Sequence, residues 1–272
     1  MDIGKAALLG VVQGLTEFLP VSSSGHLVLG KYLLGLREQG IEFEVFVHFG
    51  TLLAVLTVFR SDIWQLIKAF FSIFTKSFHT EGFTYRYTEN SHFRLLVFIL
   101  VASIPAAVIG LTFEKRIERI FGDPHFTCLM LLVTAFILFM TFFVKKANKP
   151  LTLKNTFLMG VAQAFAILPG ISRSGSTISM GLYFNVNGSD AARFSFILAV
   201  PAIFGATILK SIDLIETGVG GDMFMILAIG MIAAYISGFI AIESMLAVVR
   251  RGKLYYFAPY CLVLGLIGLI FI

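Results

Sequence analysis

Two apolar stretches of this chain, 3–36 and 153–186, are each broken at mid-length by a run that lipid would reject, PVSSSGH at 20–26 and PGISRSGST at 169–177. The halves on either side hold about ten to eighteen residues, short of the roughly 20 that a membrane crossing needs. Backbone that leaves the helix at membrane depth is tolerated only where protein buries it or a wet cavity bathes it. Each stretch is therefore read as a re-entrant hairpin: a short helix, a polar turn at depth and a second short helix.

What makes these breaks costly is their surroundings. The 272 residues are 57% hydrophobic and only 14% charged, with 29 phenylalanines and a mean hydropathy of +0.89, the balance of an integral membrane protein. Six further segments, 43–60, 93–113, 125–144, 191–213, 223–248 and 254–272, are long and apolar enough to cross. The expected fold is an all-α polytopic membrane protein, one membrane domain over 1–272, with six crossings and two re-entrant hairpins. The start, MDIGKAALLGVVQG, has too short an apolar run before Gln13 to read as a cleaved signal. Cys128 and Cys261 lie in apolar segments and read as small buried hydrophobes. The bilayer is the partner this composition implies, and no nucleic acid is expected.

The two broken stretches are also related. An offset of 150 residues lays Gly10, Val11, Gln13, Ser22, Ser24 and Gly25 on Gly160, Val161, Gln163, Ser172, Ser174 and Gly175 without a gap, and Phe46 on Phe196. An internal repeat follows, with repeat one at about 1–113 and repeat two at about 153–272. Three crossings separate the hairpins, so the second must start from the opposite face. That makes the repeats inverted, the architecture in which broken helices meet near the midplane and build a site. The net charge of +5 bears on orientation: thirteen Lys and Arg fall on one side and seven on the side of the N-terminus. The positive-inside rule puts both termini outside and the richer side in the cytoplasm, with the amphipathic run IWQLIKAFFSIF along that interface.

Arg173 is the residue hardest to place in lipid, where arginines are paired or face a wet cavity. Two readings stand: it pairs with Glu17 to hold the hairpins together, or an anion visits it. For the second, Ser172, Ser174, Gly175, Ser176 and Thr177 supply hydroxyls and a turn at a helix start, a setting that binds phosphate. The guanidinium adds a fork matched to phosphate oxygens. The first break, QGLTEFLPVSSSGH, puts Gln13 and Glu17 four apart on one helical face, ahead of Ser22, Ser23, Ser24, Gly25 and His26. A carboxylate beside a phosphate suggests a divalent cation, Mg²⁺ or Ca²⁺, held by Glu17 and Gln13. His26 can serve as general base to a serine hydroxyl, Ser23 being the one assigned to catalysis, or to a water; both routes stay open. His48, a turn or two into its crossing, can face the cavity or merely pack. Pro105 and Pro201 are expected to kink crossings around the hairpins, and Ser189 and Asp190 to start a helix.

QGLTEFLPVSSSGH and LPGISRSGSTISMG closely resemble the two signatures of the undecaprenyl-diphosphatase family, the bacterial bacitracin-resistance proteins. Pro169, Gly170, Ser172, Arg173, Ser174 and Thr177 meet every position of the second signature. Gln13, Glu17 and His26 meet the first, with glutamine in a slot where many members carry glutamate. The resemblance implies a cation-dependent phosphatase of the bacterial plasma membrane that converts undecaprenyl diphosphate to undecaprenyl phosphate and inorganic phosphate. It implies a site open to the extracytoplasmic side, recycling of the lipid carrier of peptidoglycan synthesis, and bacitracin resistance. Oligomeric state, a homodimer included, stays open. Another lipid-phosphatase superfamily shares Ser-Gly-His and Ser-Arg elements but needs a later histidine, and none follows His125 here. A transporter or flippase of polyprenyl phosphate lipids is the rival that fold alone does not exclude.

Overall fold

The computed structural model describes residues 2–33, 41–144, 148–217 and 221–271. Among them Arg37, Lys145 and Lys146, which entered the charge count, do not fall. The described residues form twelve α-helices: α1 (Ile3–Phe18), α2 (Ser23–Leu33), α3 (Ile41–Val58), α4 (Arg60–Ser72), α5 (Lys76–Glu89), α6 (Ser91–Phe121), α7 (Pro124–Met140), α8 (Leu153–Phe165), α9 (Arg173–Tyr183), α10 (Gly188–Thr217), α11 (Gly221–Arg250) and α12 (Ala258–Phe271). Five stretches are long and apolar enough to cross a membrane: Ser91–Phe113, Pro124–Phe143, Gly188–Leu209, Met223–Arg250 and Leu254–Phe271. The remaining expected crossing, 43–60, is less simple: its helix bends by 87° into α4. Phe59 is buried at the corner, and the polar run Arg60, Ser61, Asp62 turns α4 aside. Leu66 and Ala69 of α4 are buried while Trp64, Phe70 and Phe71 face outward, as an interfacial helix requires. Arg193 of α10 pairs with Asp62 of α4 and pins this corner.

Both breaks fall where the local chemistry ends a helix. Leu19 precedes Pro20, cannot stay helical, and is extended at ψ 148°; the turn then passes through Ser22 in the left-handed region, φ 68°. In the second break the left-handed position is taken by Gly170, φ 94°. A side chain there would collide with the carbonyl of Thr127 on α7. Serine caps restart each helix: Gly25 N–H donates to Ser22 Oγ at 3.2 Å and Gly175 N–H to Ser172 Oγ at 3.1 Å. The ends of the second broken stretch lie side by side, Lys149 N–H donating to Asn185 O at 2.8 Å and Asn187 N–H to Lys149 O at 3.0 Å. The chain leaves this hairpin where it came in. Asn187 also caps α10, accepting from Ser189 N–H at 2.9 Å, so the helix start expected at Ser189 and Asp190 has its cap two residues earlier.

Close packing of small residues holds the hairpins in the bundle, since apolar contact alone gives helices little reason to associate in lipid. α1 lies on α11, with Gly10 against the Gly230 carbonyl and Gly14 against Ser237 and Ala234. α8 lies on α6, with Gly160 against the backbone of Ala102. α7 and α12 pack together, Gly265 and Gly268 against Cys128. Both cysteines are free and buried, as expected. Pro105 and Pro201 sit inside continuous helices, α6 and α10. Phe18, at the end of α1, meets Phe196 of α10 edge-on at 5.7 Å and ties the first break to the core.

Gly170→Ala combines a strained φ with a clash against fixed backbone and should destabilise the protein by about 1–3 kcal/mol. Thermal unfolding in detergent should show the lowered midpoint, whereas Gly205→Ala, where the added carbon meets nothing within 4 Å, should leave it nearly unchanged.

Candidate active site

The two breaks meet, and the atoms that join them are those that ended their helices. Gly170 N–H of the second break donates to Ser24 Oγ at 3.3 Å, and Ser174 Oγ donates to Leu19 O of the first at 3.1 Å. Each break is also held from behind. Thr134 of α7 donates to Gly170 O at 2.8 Å and accepts from Ser172 N–H at 3.0 Å. On the other side the thiol of Cys261, on α12, donates to Pro20 O at 3.7 Å.

At the junction Glu17, in the last turn of α1, meets Arg173, the first residue of α9, with Nη2 2.7 Å from Oε1. Their side chains are 7% and 14% exposed, so this is a buried ion pair whose worth depends on its remaining hydrogen bonds. The other carboxylate oxygen, Oε2, accepts from Gln13 Nε2 at 2.9 Å and from Ser23 Oγ at 2.6 Å. Arg173 Nη1 and Gln13 Oε1 are buried and have no hydrogen-bond partner among the described residues. Both call for a partner that the described residues do not supply.

A cavity of about 560 Å³ opens onto this pair, within the range of small-molecule sites. Its polar floor includes Thr16, Glu17, Ser23, Ser24, Ser172 and Arg173, with His48 and Glu44 of α3 and Gln163 of α8 on its walls. Its other wall is apolar, with Ala106, Ala107 and Leu111 of α6 facing Pro201, Ala206 and Leu209 of α10. Ala107, Leu111, Ala206 and Leu209 are also exposed on the outer surface, so this wall runs out to the face that meets lipid.

The structure divides the expected site residues. Glu17, Arg173, Ser23, Ser24 and Ser172 line the cavity, and Gln13 backs them by holding Glu17. Ser22, Gly25, Ser174, Gly175 and Thr177 do not line it; they are consumed by caps and by contacts between the breaks, Thr177 Oγ1 lying 2.6 Å from Ser195 Oγ in the core. His26 is turned away as well. Its Nδ1 lies 2.8 Å from Ser22 O, an acceptor only, so that nitrogen carries the proton and Nε2 accepts from Tyr260 OH at 2.6 Å. With both ring nitrogens engaged outside the cavity, His26 is not brought to Glu17 and Arg173. The histidine in the cavity is His48, whose Nδ1 is 2.7 Å from Glu44 O and whose Nε2 is 4.0 Å from Glu17 Oε2. Its position on the cavity face of α3 was one of two open readings, because spacing on one helix does not say which neighbour that face meets. Gln163 entered the sequence reading only as the repeat mate of Gln13.

The donors suit a hard divalent cation only in part. Among the described residues no three His, Cys, Asp or Glu side chains converge to hold an ion unaided. Glu17 and the partnerless Oε1 of Gln13 would supply two oxygens, which fits an ion of the magnesium kind that takes its other ligands from phosphate and water.

The chain matches the family model described as bacitracin resistance protein BacA over residues 6–267. It is similar to the undecaprenyl-diphosphatase of Salinibacter ruber, 47% identical over 97% of both chains. It is also similar to that of Christiangramia forsetii, 42% identical over 100% of this chain and 98% of the relative, and to one of Bacteroides fragilis at 36% over 99% and 98%. On the strength of a match along nearly its whole length, the chain belongs to the BacA family of bacitracin resistance proteins.

Proposed function

We propose that this protein is a membrane phosphatase that hydrolyses undecaprenyl diphosphate to undecaprenyl phosphate and inorganic phosphate, and so returns the carrier lipid of peptidoglycan synthesis and confers bacitracin resistance. The observation that carries this reading is the cavity itself, with a buried Glu17–Arg173 pair on its floor and an apolar wall running to the lipid face. A diphosphate can reach the floor while its polyprenyl tail stays between α6 and α10. A transporter needs only groups that bind. Here a serine hydroxyl also donates to a carboxylate at 2.6 Å beside an arginine, which is an arrangement for moving a proton as charge develops on phosphorus.

In this reading an oxygen nucleophile, either the Ser23 hydroxyl or a water in its place, attacks the terminal phosphorus. The bond from that phosphorus to the bridging oxygen breaks, and undecaprenyl phosphate leaves with the bond's electron pair. Glu17 Oε2 already accepts from Ser23 Oγ and is positioned to take the nucleophile's proton. If Ser23 attacks, a water later cleaves the phosphoserine and restores the hydroxyl. Arg173 Nη2 is held by Glu17, which leaves Nη1 for an oxygen of the transferred phosphoryl group, where charge is stabilised at no further cost of reorganisation. Bound at Glu17 and Gln13, Mg²⁺ or Ca²⁺ would polarise the phosphoryl group. Tyr260 and Ser22 fix His26 as a strut for the first break.

The inverted repeat belongs to this proposal too, as do a plasma-membrane location and termini and cavity facing the extracytoplasmic side. What supports the repeat, about 1–113 and about 153–272, is the pairing of α1 with α11 and of α8 with α6, together with the reciprocal bonds between the breaks. The charge bias of thirteen to seven supports the orientation. A membrane-impermeant maleimide should label Asp2→Cys in intact cells and label Lys253→Cys only after the membrane is opened; the reverse order would invert the topology.

Detergent-purified protein should release phosphate from undecaprenyl diphosphate, and a chelator should suppress that release. Arg173→Ala and Glu17→Ala should each lose at least about 100-fold in rate while still folding, with lowered melting temperatures because each leaves its partner buried and unpaired; His26→Ala should keep most of its rate and melt earlier. No release from folded wild type would refute the phosphatase and turn attention to lipid movement in liposomes.

A further inference from the structure

The offset of 150 residues pairs Gln13 with Gln163, and the two amides have different fates. Gln13 is followed four residues later by Glu17 and donates to its carboxylate at 2.9 Å. Four residues after Gln163 stands Ile167, which offers nothing. Gln163 is 3% exposed, and among the described residues neither its Nε2 nor its Oε1 has a hydrogen-bond partner. Both Gln163 and Ile167 line the cavity. A buried amide left unpaired costs about 1–3 kcal/mol, and lipid cannot relieve it. Of the polar groups that the second break brings to this cavity, only Arg173 Nη1 shares the condition of being buried without a partner.

We propose that Gln163 is a substrate-binding residue, its carboxamide N–H group donating to an anionic oxygen of the diphosphate that Arg173 also engages. This rests on the phosphatase reading and adds to it a neutral donor on α8. The repeat explains why the donor is available. Its mate in α1 spends the same N–H group on the carboxylate that organises the site, whereas Ile167 leaves Gln163 free for a visiting anion. A neutral donor also lets product phosphate leave more easily than a second cation would.

The test compares wild type, Gln163→Met and Gln163→Glu in steady-state hydrolysis of a detergent-soluble polyprenyl diphosphate, with inhibition by inorganic phosphate and melting temperature measured on the same preparations. Methionine keeps the side chain's reach and removes the donor, so KM should rise about tenfold or more, the worth of one hydrogen bond to a charged group, with the melting temperature unchanged or higher. Glutamate should raise KM further by repelling the anion. Inhibition by inorganic phosphate should weaken in parallel if the oxygen contacted belongs to the terminal phosphate, and should persist if it belongs to the lipid-linked one. Wild-type kinetics in both folded variants would overturn the inference and leave the phosphatase standing. An inactive wild type would overturn the phosphatase itself.

Discussion

A carboxylate and a guanidinium that meet inside a bundle of apolar helices set the terms for everything around them. Taken alone, either Glu17 or Arg173 would be costly to bury in this chain's interior; together, 2.7 Å apart, they are tolerable only if their remaining hydrogen-bonding positions are also met. Ser23 and Gln13 meet those of the carboxylate. Those of the arginine are met on one side only, and that incompleteness is what makes the pair a site as well as a strut. The two readings of Arg173 open at the level of sequence turn out to be compatible: the ion pair ties the hairpins together, and the tie lies on the floor of a cavity.

The pair can form only because two non-helical turns are brought to the same place, and the means are small side chains and reciprocal bonds. Gly10 and Gly14 let α1 settle on α11, and Gly160 lets α8 settle on α6. Ser24 and Ser174 then cross from one break to the other in opposite directions, one accepting and one donating. The turns themselves are not copies. One passes through a left-handed serine and the other through a left-handed glycine two residues earlier in the aligned frame. The side chains differ as well: Glu17 aligns with Ile167 and Arg173 with Ser23, so the acid comes from one break and the base from the other.

Much of this was legible in the sequence because lipid is a strict solvent. A proline followed by serines in an apolar run has few outcomes, and both breaks, the five long apolar helices, the partnership of Glu17 with Arg173 and the buried cysteines follow from that strictness. Less legible was how the hydroxyls would be divided. Ser22 and Ser172 look alike in sequence and each caps the helix that follows, yet only Ser172 also lines the cavity. What holds His26 away from the cavity could not be read locally, because its neighbour Tyr260 is 234 residues away. The bend after Val58 was hidden for a related reason: an apolar run gives its length but not its direction, and the Arg193–Asp62 pair that pins the corner joins residues 131 apart.

The bonds across the breaks also bear on how such a chain can be made. Leu19 O accepts locally from Val21 N–H at 2.8 Å as well as from Ser174, 155 residues later, whereas Pro20 O is met by Cys261, 241 residues later. The first break is therefore made with one tip carbonyl, that of Pro20, whose partner arrives only with α12. Until α12 arrives, that carbonyl must find another partner, such as water. The oldest break of the chain is completed by its last helix, so a chain stopped short of Cys261 would leave its first turn as the one still unfinished.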